Sequence, residues 1–191
     1  IKFVQTRNTT PYTSYPYFTT YIRKIMDPIA KLSLLLSAFL MALIAGLFYS
    51  YSVSVNPGLA QLSDTEYLKA MKSINRAILN PWFFLSFMGS VVMTPLATGI
   101  YYKYAGSDIA FYCLLSASVV SVVGVFGTTI TANVPLNNSL ESFDIAGATL
   151  DQIKSKRLAF EIPWNRFHTI RTVANVAALI LILYALISKM P

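Results

Sequence analysis

The residues best suited to chemistry lie in one short stretch, PWNRFHTIRTVAN at residues 163–175, which runs directly into a strongly apolar segment. Within it, Trp164, His168, Arg171 and Asn175 are spaced i, i+4, i+7 and i+11, so all four lie on one face of an α-helix. Polar groups at membrane depth are costly unless they face a bundle interior or water. The stripe is therefore predicted to face inward.

An imidazole beside a guanidinium suits proton abstraction from a weakly acidic carbon or a phenol. A free imidazole titrates near neutrality, so His168, the only histidine of the chain, is the candidate base. Arg171 is the candidate stabiliser of the enolate or phenolate that forms. Trp164 offers a stacking surface, and Asn175 can hydrogen-bond a carbonyl of a flat substrate. The alternative is structural, since an arginine near a helix end can also reach the lipid headgroups.

The composition favours an integral membrane protein over a soluble one. Of the 191 residues, 55% are hydrophobic and 12% charged, whereas a soluble domain carries about 25% charged residues. The net charge of +7 comes without a basic run, so we assign the basic residues to the flanks of membrane helices and expect no nucleic-acid partner. One histidine and one cysteine are too few for a metal site or a bis-histidine haem. No cofactor is predicted, although a haem with His168 as its sole axial ligand stays open.

Four apolar segments predict four membrane spans, each close to the ~20 residues that cross a bilayer core. They cover about residues 29–55, 82–104, 109–132 and 170–187. We predict an all-α fold, an integral membrane four-helix up-down bundle with both termini on one side. Basic residues are divided almost equally between the two sides, so the orientation stays open.

The segments outside the spans are predicted to be a tail and two connections. Residues 1–28, rich in Thr, Tyr and Pro at their start, are expected to form an N-terminal surface tail, extended over residues 1–21, and residues 29–191 the bundle. The two long connections are predicted to be amphipathic helices on the side away from the termini. One begins at the capping box SDTE and ends where Asn80 caps the second span; the other covers residues 148–162 and is broken at Pro163.

Polar groups from the other spans are expected at the same end of the bundle as the stripe. Asn56 closes the first span, Arg76 and Asn80 precede the second, and Asn133 and Asn137 follow the third. We predict that these residues contact substrate in a polar-mouthed pocket above an aromatic and apolar interior.

Four short motifs resemble the anthrone oxygenase family, a four-span membrane domain. They are SVNPGL, INRAILNP, NVPLN and PWNRFHTIRTVAN, and the similarity covers roughly residues 33–187. The resemblance implies an oxygenase without an established cofactor that converts anthrone-type polyketides into anthraquinones with O₂. By matching position it implies His168 and Arg171 as base and anion stabiliser, and it implies substrate contacts at Asn133, Asn137, Asn175 and Trp164.

Two functions are consistent with these residues. The first is a multi-pass membrane oxygenase that oxidises a hydrophobic aromatic or phenolic substrate, or a quinol, entering from the lipid bilayer. The alternative is a non-enzymatic membrane subunit that binds a lipid, a quinone or a partner protein through the same pocket. A membrane protein partner or a homo-oligomer is compatible with either function.

Overall fold

The fold is almost entirely helical. The computed structural model describes the backbone of residues 16–188 and the side chains of residues 28–188. The helices are α1 (Pro16–Ser50), α2 (Asn56–Leu59), α3 (Asp64–Ala77), α4 (Pro81–Ala105), α5 (Ile109–Val119), α6 (Val134–Glu141) and α7 (Leu150–Ile187). Wider π-helical turns connect α1 to α2 at Tyr51–Val55, and α5 to α6 at Val120–Gly127 and Thr129–Asn133. The described residues include no strand, so the predicted all-α class is confirmed.

Four helical segments are long and apolar enough to cross a membrane. They are Pro28–Leu59, Pro81–Ala105, Ile109–Glu141 and Leu150–Ile187. In the bundle α1 packs against α4 and α7, and α5 packs against the same two helices. Large apolar side chains such as those of Leu32 and Phe39 remain exposed on the outside. An apolar exterior of this extent requires lipid around it, and the chain is a multi-pass membrane protein.

The helices extend beyond the predicted spans at several ends. Helix α1 begins at Pro16, so residues 16–28 are helical and the extended tail that we predicted over residues 1–21 is wrong from Pro16 onward. Proline is tolerated at a first helical position, because the amide that it lacks has no partner there. The predicted tail at residues 1–15 lies outside the described residues.

The predicted break at Pro163 is also wrong, because α7 runs without interruption from Leu150 to Ile187. A proline inside a helix removes one backbone hydrogen bond and crowds the preceding turn. Phe160 and Trp164, on either side of Pro163, are both buried in one apolar cluster, and this packing holds the helix together across the defect. The helix that contains the fourth apolar segment therefore includes the whole polar stripe.

The two connections form a cap over one end of the bundle. Ser63 and Glu66 make the predicted capping box, in which the Ser63 amide donates to Glu66 Oε2 at 3.1 Å. The hydrogen bond from the Ser63 hydroxyl lowers the pKa of the Glu66 carboxyl. Helix α3 packs on α6 and α7 through the connection cluster, which comprises Tyr67, Leu68, Met71, Leu140, Ile153, Phe160 and Trp164. The cap thereby encloses the end of the bundle at which the stripe lies.

The third span and α7 approach each other closely at Gly124. A Cβ atom built on Gly124 would lie 2.9 Å from the Cβ atom of Ala174, closer than real Cβ atoms come. Ala174 immediately precedes Asn175 of the stripe, and Val125 next to Gly124 is buried. The missing side chain at Gly124 therefore sets how closely the third span lies against the stripe-bearing face of α7.

We expect Gly124→Ala to lower the thermal stability of the protein in detergent, since overpacking in a tight interface costs about 1–3 kcal/mol. Gly46→Ala is the matched control, because a Cβ atom there meets nothing within 4 Å. Adding Ala174→Gly to Gly124→Ala should restore stability. Equal melting temperatures for Gly124→Ala and Gly46→Ala would contradict the close approach.

Candidate functional site

A cavity of about 110 Å³ lies under the cap and is partly open to the outside of the bundle. Its walls come from α1 and the following π-helical turn, from α3, α4 and α7, and from the end of the third span. Most of the lining is apolar and aromatic. Leu79, 65% exposed, lies at the mouth, so the opening is on an apolar part of the surface.

The polar stripe of α7 faces inward, as its spacing predicts. Trp164, His168, Arg171 and Asn175 are all buried, whereas Val173 on the opposite face is exposed. The first three line the cavity. Asn175 lies one turn beyond Arg171 and is not a lining residue.

The hydrogen bonds of His168 assign its tautomer. A carbonyl oxygen can only accept, so His168 Nε2, 3.1 Å from the Phe48 carbonyl oxygen, carries a proton. A guanidinium can only donate, so His168 Nδ1, 3.2 Å from Arg171 Nη2, is the acceptor. Ser52 Oγ lies 3.0 Å from Nε2 and donates to the same Phe48 carbonyl. The imidazole is therefore neutral, and its lone pair is on Nδ1.

Aromatic rings hold the imidazole in place. Trp164 stacks on it with 5.1 Å between ring centroids and 10° between the planes. The rings of Phe48 and Tyr51 contact it at 5.6 and 5.5 Å. The indole N–H of Trp164 donates to Asn137 Oδ1 at 2.9 Å, and this bond fixes the orientation of the indole. His168 can therefore rotate little without disturbing the aromatic wall.

Arg171 is a buried cation without an ionic partner. It is 9% exposed, and it makes no ion pair with any carboxylate in the described part of the chain. Its charge lies over the rings of Phe48 and Trp164, at 4.6 and 5.3 Å from their centroids. Its Nε has no hydrogen-bond partner among the described residues. Glu141 and Glu161 pair with Arg76 and Arg157 instead.

Several amide groups near the cavity also have unused hydrogen-bonding capacity. Asn75 Nδ2 and Asn133 Oδ1 are buried and lack a partner among the described residues, and both residues line the cavity. Asn133 Nδ2 donates to the Trp164 carbonyl at 3.4 Å. Both amide atoms of Asn175 lack a described partner as well. Buried polar groups are normally satisfied, so unused donors and acceptors in a cavity wall are typical of a site that binds a polar ligand.

Besides Asn175, three more of the predicted contacts lie outside the cavity wall. Arg76 is exposed and pairs with Glu141, its Nε lying 2.9 Å from Oε1. Asn80 caps α4, its Oδ1 accepting the Phe83 amide at 3.0 Å. Asn56 is the first residue of α2, outside the lining. By contrast, Asn133 and Asn137 do line the cavity together with the stripe.

The cavity also has lining residues that we did not predict, among them Phe48, Tyr51 and Asn75. Tyr51 is the first residue of a π-helical turn, in which the Asn56 amide bonds the Tyr51 carbonyl five residues back. Such turns are rare and are frequent at functional sites. A second π-helical turn contains Asn133. The sequence carries no signal for π-helical spacing. Asn75 could have been predicted, because it is a polar residue one helical turn after Met71 on the inner face of α3.

Comparison with known proteins gives one family match. A family model described as anthrone oxygenase matches residues 82–181, which are 100 of the 191 residues. The match includes His168, Arg171, Asn133 and Asn137. No curated protein and no solved structure matches the chain. In the described part of the chain, no group of three or more His, Cys, Asp or Glu side chains could hold a metal ion.

We expect nitrogen NMR of ¹⁵N-labelled protein in detergent to show His168 with its proton on Nε2. A single histidine makes the assignment unambiguous. Replacing Arg171 with Met should shift the Nδ1 signal, because it removes the donor to that atom. A proton on Nδ1 in the ligand-free protein would contradict the assigned tautomer.

Proposed function

The chain belongs to the anthrone oxygenase family, and on that premise we propose that it is a membrane oxygenase that oxidises a hydrophobic phenolic or anthrone-type substrate with O₂. The observation that carries the proposal is the buried pair of His168 and Arg171. A neutral imidazole accepts a hydrogen bond at Nδ1 from a buried guanidinium that has no counter-ion among the described residues, inside a largely apolar cavity. This arrangement suits a reaction in which a neutral substrate becomes an anion.

The proton is taken by Nδ1 of His168. In the empty cavity this atom accepts a hydrogen bond from Arg171, so the guanidinium must first find another acceptor. The enolic or phenolic oxygen of the substrate is such an acceptor, and its attraction for the guanidinium grows as negative charge develops on it. Substrate binding then frees Nδ1 at the moment when the proton is to be removed.

The anion reacts with O₂ as the second substrate. In an anthrone the deprotonated CH₂ carbon gives electrons to O₂, a C–O bond forms, and the proton held on Nδ1 returns to give a hydroperoxide. Nδ1 then takes the second proton of that carbon, the O–O bond breaks, and the leaving hydroxide receives this proton as water. One CH₂ group and one O₂ thereby become one C=O group and one H₂O, and the two C–H bonds supply the four electrons.

Neighbouring residues orient the base and stabilise its protonated form. The Phe48 carbonyl accepts a hydrogen bond from Nε2–H, which holds the ring in place. The negative end of the carbonyl dipole then faces the imidazolium that forms. Stacking on Trp164 limits rotation of the ring. The low polarity of the walls strengthens the attraction between Arg171 and the substrate anion relative to that in water.

We propose that the reaction needs no haem. Both imidazole nitrogens of His168 are engaged in hydrogen bonds, and a porphyrin is far larger than a cavity of about 110 Å³. The electron-rich substrate anion can itself reduce O₂, so the chemistry does not require a metal. This leaves His168 free to act as a base rather than as a ligand.

We expect His168→Ala to reduce turnover of a phenolic or anthrone-type substrate at least about a hundredfold, because the base is removed. Oxygen consumption and quinone formation measure this in detergent or nanodiscs. Added imidazole should restore part of the activity by occupying the vacated space. Thr169→Ala is the matched control, since Thr169 is exposed and its hydroxyl bonds its own helix at Asn165. Full activity of His168→Ala would rule out the base, and a folded wild-type protein inactive on both phenols and anthrones would favour the non-enzymatic binding subunit.

The absorption spectrum of the purified protein should show no Soret band, and dialysis against a chelator should leave its activity unchanged. A Soret band that is lost in His168→Ala would instead make His168 an axial ligand and contradict the proposed role as base.

A further inference from the structure

The size of the cavity limits how much of a substrate can enter it. An engineered cavity of about 150 Å³ in another protein holds one benzene molecule. At about 110 Å³, the present cavity has room for one aromatic ring, once its walls relax slightly, but not for three fused rings. A tricyclic substrate would have to leave most of its surface outside, away from the polar groups.

We propose that the cavity takes a single electron-rich phenol ring with an unsubstituted para position, and that the apolar remainder of the substrate stays at the lipid-facing mouth. This inference rests on the proposed oxygenase function and narrows its substrate class to lipophilic monocyclic phenols. The arguments come from the walls, the polar groups and the mouth of the cavity.

Aromatic side chains from three helical elements line the cavity. Phe48 and Tyr51 come from the first membrane segment, Phe83 comes from α4 and Trp164 comes from α7. Aromatic side chains bind other aromatic rings by offset stacking or edge-to-face contact. The ring of a phenol can therefore be bound by aromatic contacts within this lining.

The polar groups fit a phenol with one oxygen before the reaction and two after it. Arg171 supplies a buried cation for the phenolate oxygen. Asn75 lies on α3, a different wall, and its Nδ2 is a buried donor without a described partner. An oxygen that forms on the para carbon gains a donor if it lies near this amide. Asn75 is thereby assigned as a positioning residue for the new oxygen.

The mouth fits an apolar tail. Ile74 and Ile78 of α3 line the cavity, and Leu79 follows them at the exposed rim. A chain of CH₂ groups that leaves the ring would contact these residues and continue into the surrounding lipid. Each buried CH₂ group contributes about 0.8 kcal/mol to partition from water, so a tail also concentrates the phenol in the membrane.

The chemistry balances in the same way as for an anthrone. A phenolate carries part of its negative charge on the para carbon, which forms the C–O bond to O₂. Loss of the para hydrogen as a proton and cleavage of the O–O bond then give a para-quinone and water. One phenol and one O₂ become one para-quinone and one H₂O, with His168 holding the proton between the steps. A substituent at the para position would block this sequence but not binding.

The test measures binding and turnover separately in nanodiscs, with 3-dodecylphenol, its methyl ether and anthrone as probes. Trp164 lines the cavity, and the other tryptophan, Trp82, is 78% exposed at the start of α4. A Trp82→Phe variant therefore reports occupancy of the cavity through the fluorescence of Trp164. We expect 3-dodecylphenol to bind at least about tenfold more tightly than its methyl ether, because only the phenol can become an anion at Arg171.

The outcomes distinguish this inference from the proposed function. Tighter binding of anthrone than of 3-dodecylphenol, or equal binding of the phenol and its ether, overturns the inference whether or not O₂ is consumed. Tight phenol binding with O₂ uptake and quinone formation supports both. Tight phenol binding without O₂ uptake supports the substrate class and contradicts the oxygenase.

Asn75→Ala should reduce phenol turnover several-fold more than it weakens phenol binding. Ser73→Ala, on the exposed side of the same helix, should change neither turnover nor binding. Equal losses for the two variants would overturn the role of Asn75.

Discussion

The site depends on one constraint, a positive charge buried in an apolar bundle without a carboxylate partner among the residues that the structure describes. Burial of an unpaired charge is strongly unfavourable. Removing one partner of a buried ion pair typically lowers the free energy of unfolding by about 3–5 kcal/mol, because the other charge is left uncompensated. The free-energy cost of burying Arg171 is offset in part by the faces of Phe48 and Trp164 and by one hydrogen bond to His168. These contacts leave its attraction for an anion largely unused. A group that gains negative charge only during a reaction is stabilised by such a site more than its neutral precursor is, and this difference accelerates a reaction.

The irregular turns of the bundle carry several of the groups that surround the site. The Phe48 carbonyl, just before a π-helical turn, accepts bonds from two side chains, those of Ser52 and His168. The same turn places Tyr51 against both the imidazole and the indole. The wider turn in the third span presents Asn133 to α7. The geometry of the candidate site thus depends on two departures from helical regularity and on close packing such as that at Gly124.

The parts of this structure that depend on local rules could be predicted from the sequence. The period of 3.6 residues places Trp164, His168 and Arg171 on one face, and the capping box at Ser63 is a local pattern as well. Predictions that needed tertiary information were less successful. Pro163 was expected to end a helix, but the helix continues through it. Asn80 caps α4 and Arg76 pairs with the distant Glu141, both outside the cavity wall. Phe48 and Tyr51 were missed because nothing in the residue types marks a π-helical turn.

In the mechanism that we propose, the hydrogen bond between Arg171 and His168 makes the base depend on the substrate. With the cavity empty, the lone pair of Nδ1 accepts a hydrogen bond from the guanidinium. A neutral molecule without an acidic oxygen provides no acceptor strong enough to replace Nδ1. A phenol or enol offers an oxygen that becomes a better acceptor as its proton leaves. Removal of the proton and transfer of the guanidinium to the oxygen therefore favour each other. An apolar compound from the bilayer can enter the cavity, but only one that forms an oxyanion there can release the base, so selectivity arises from the chemistry of the substrate as well as from its shape.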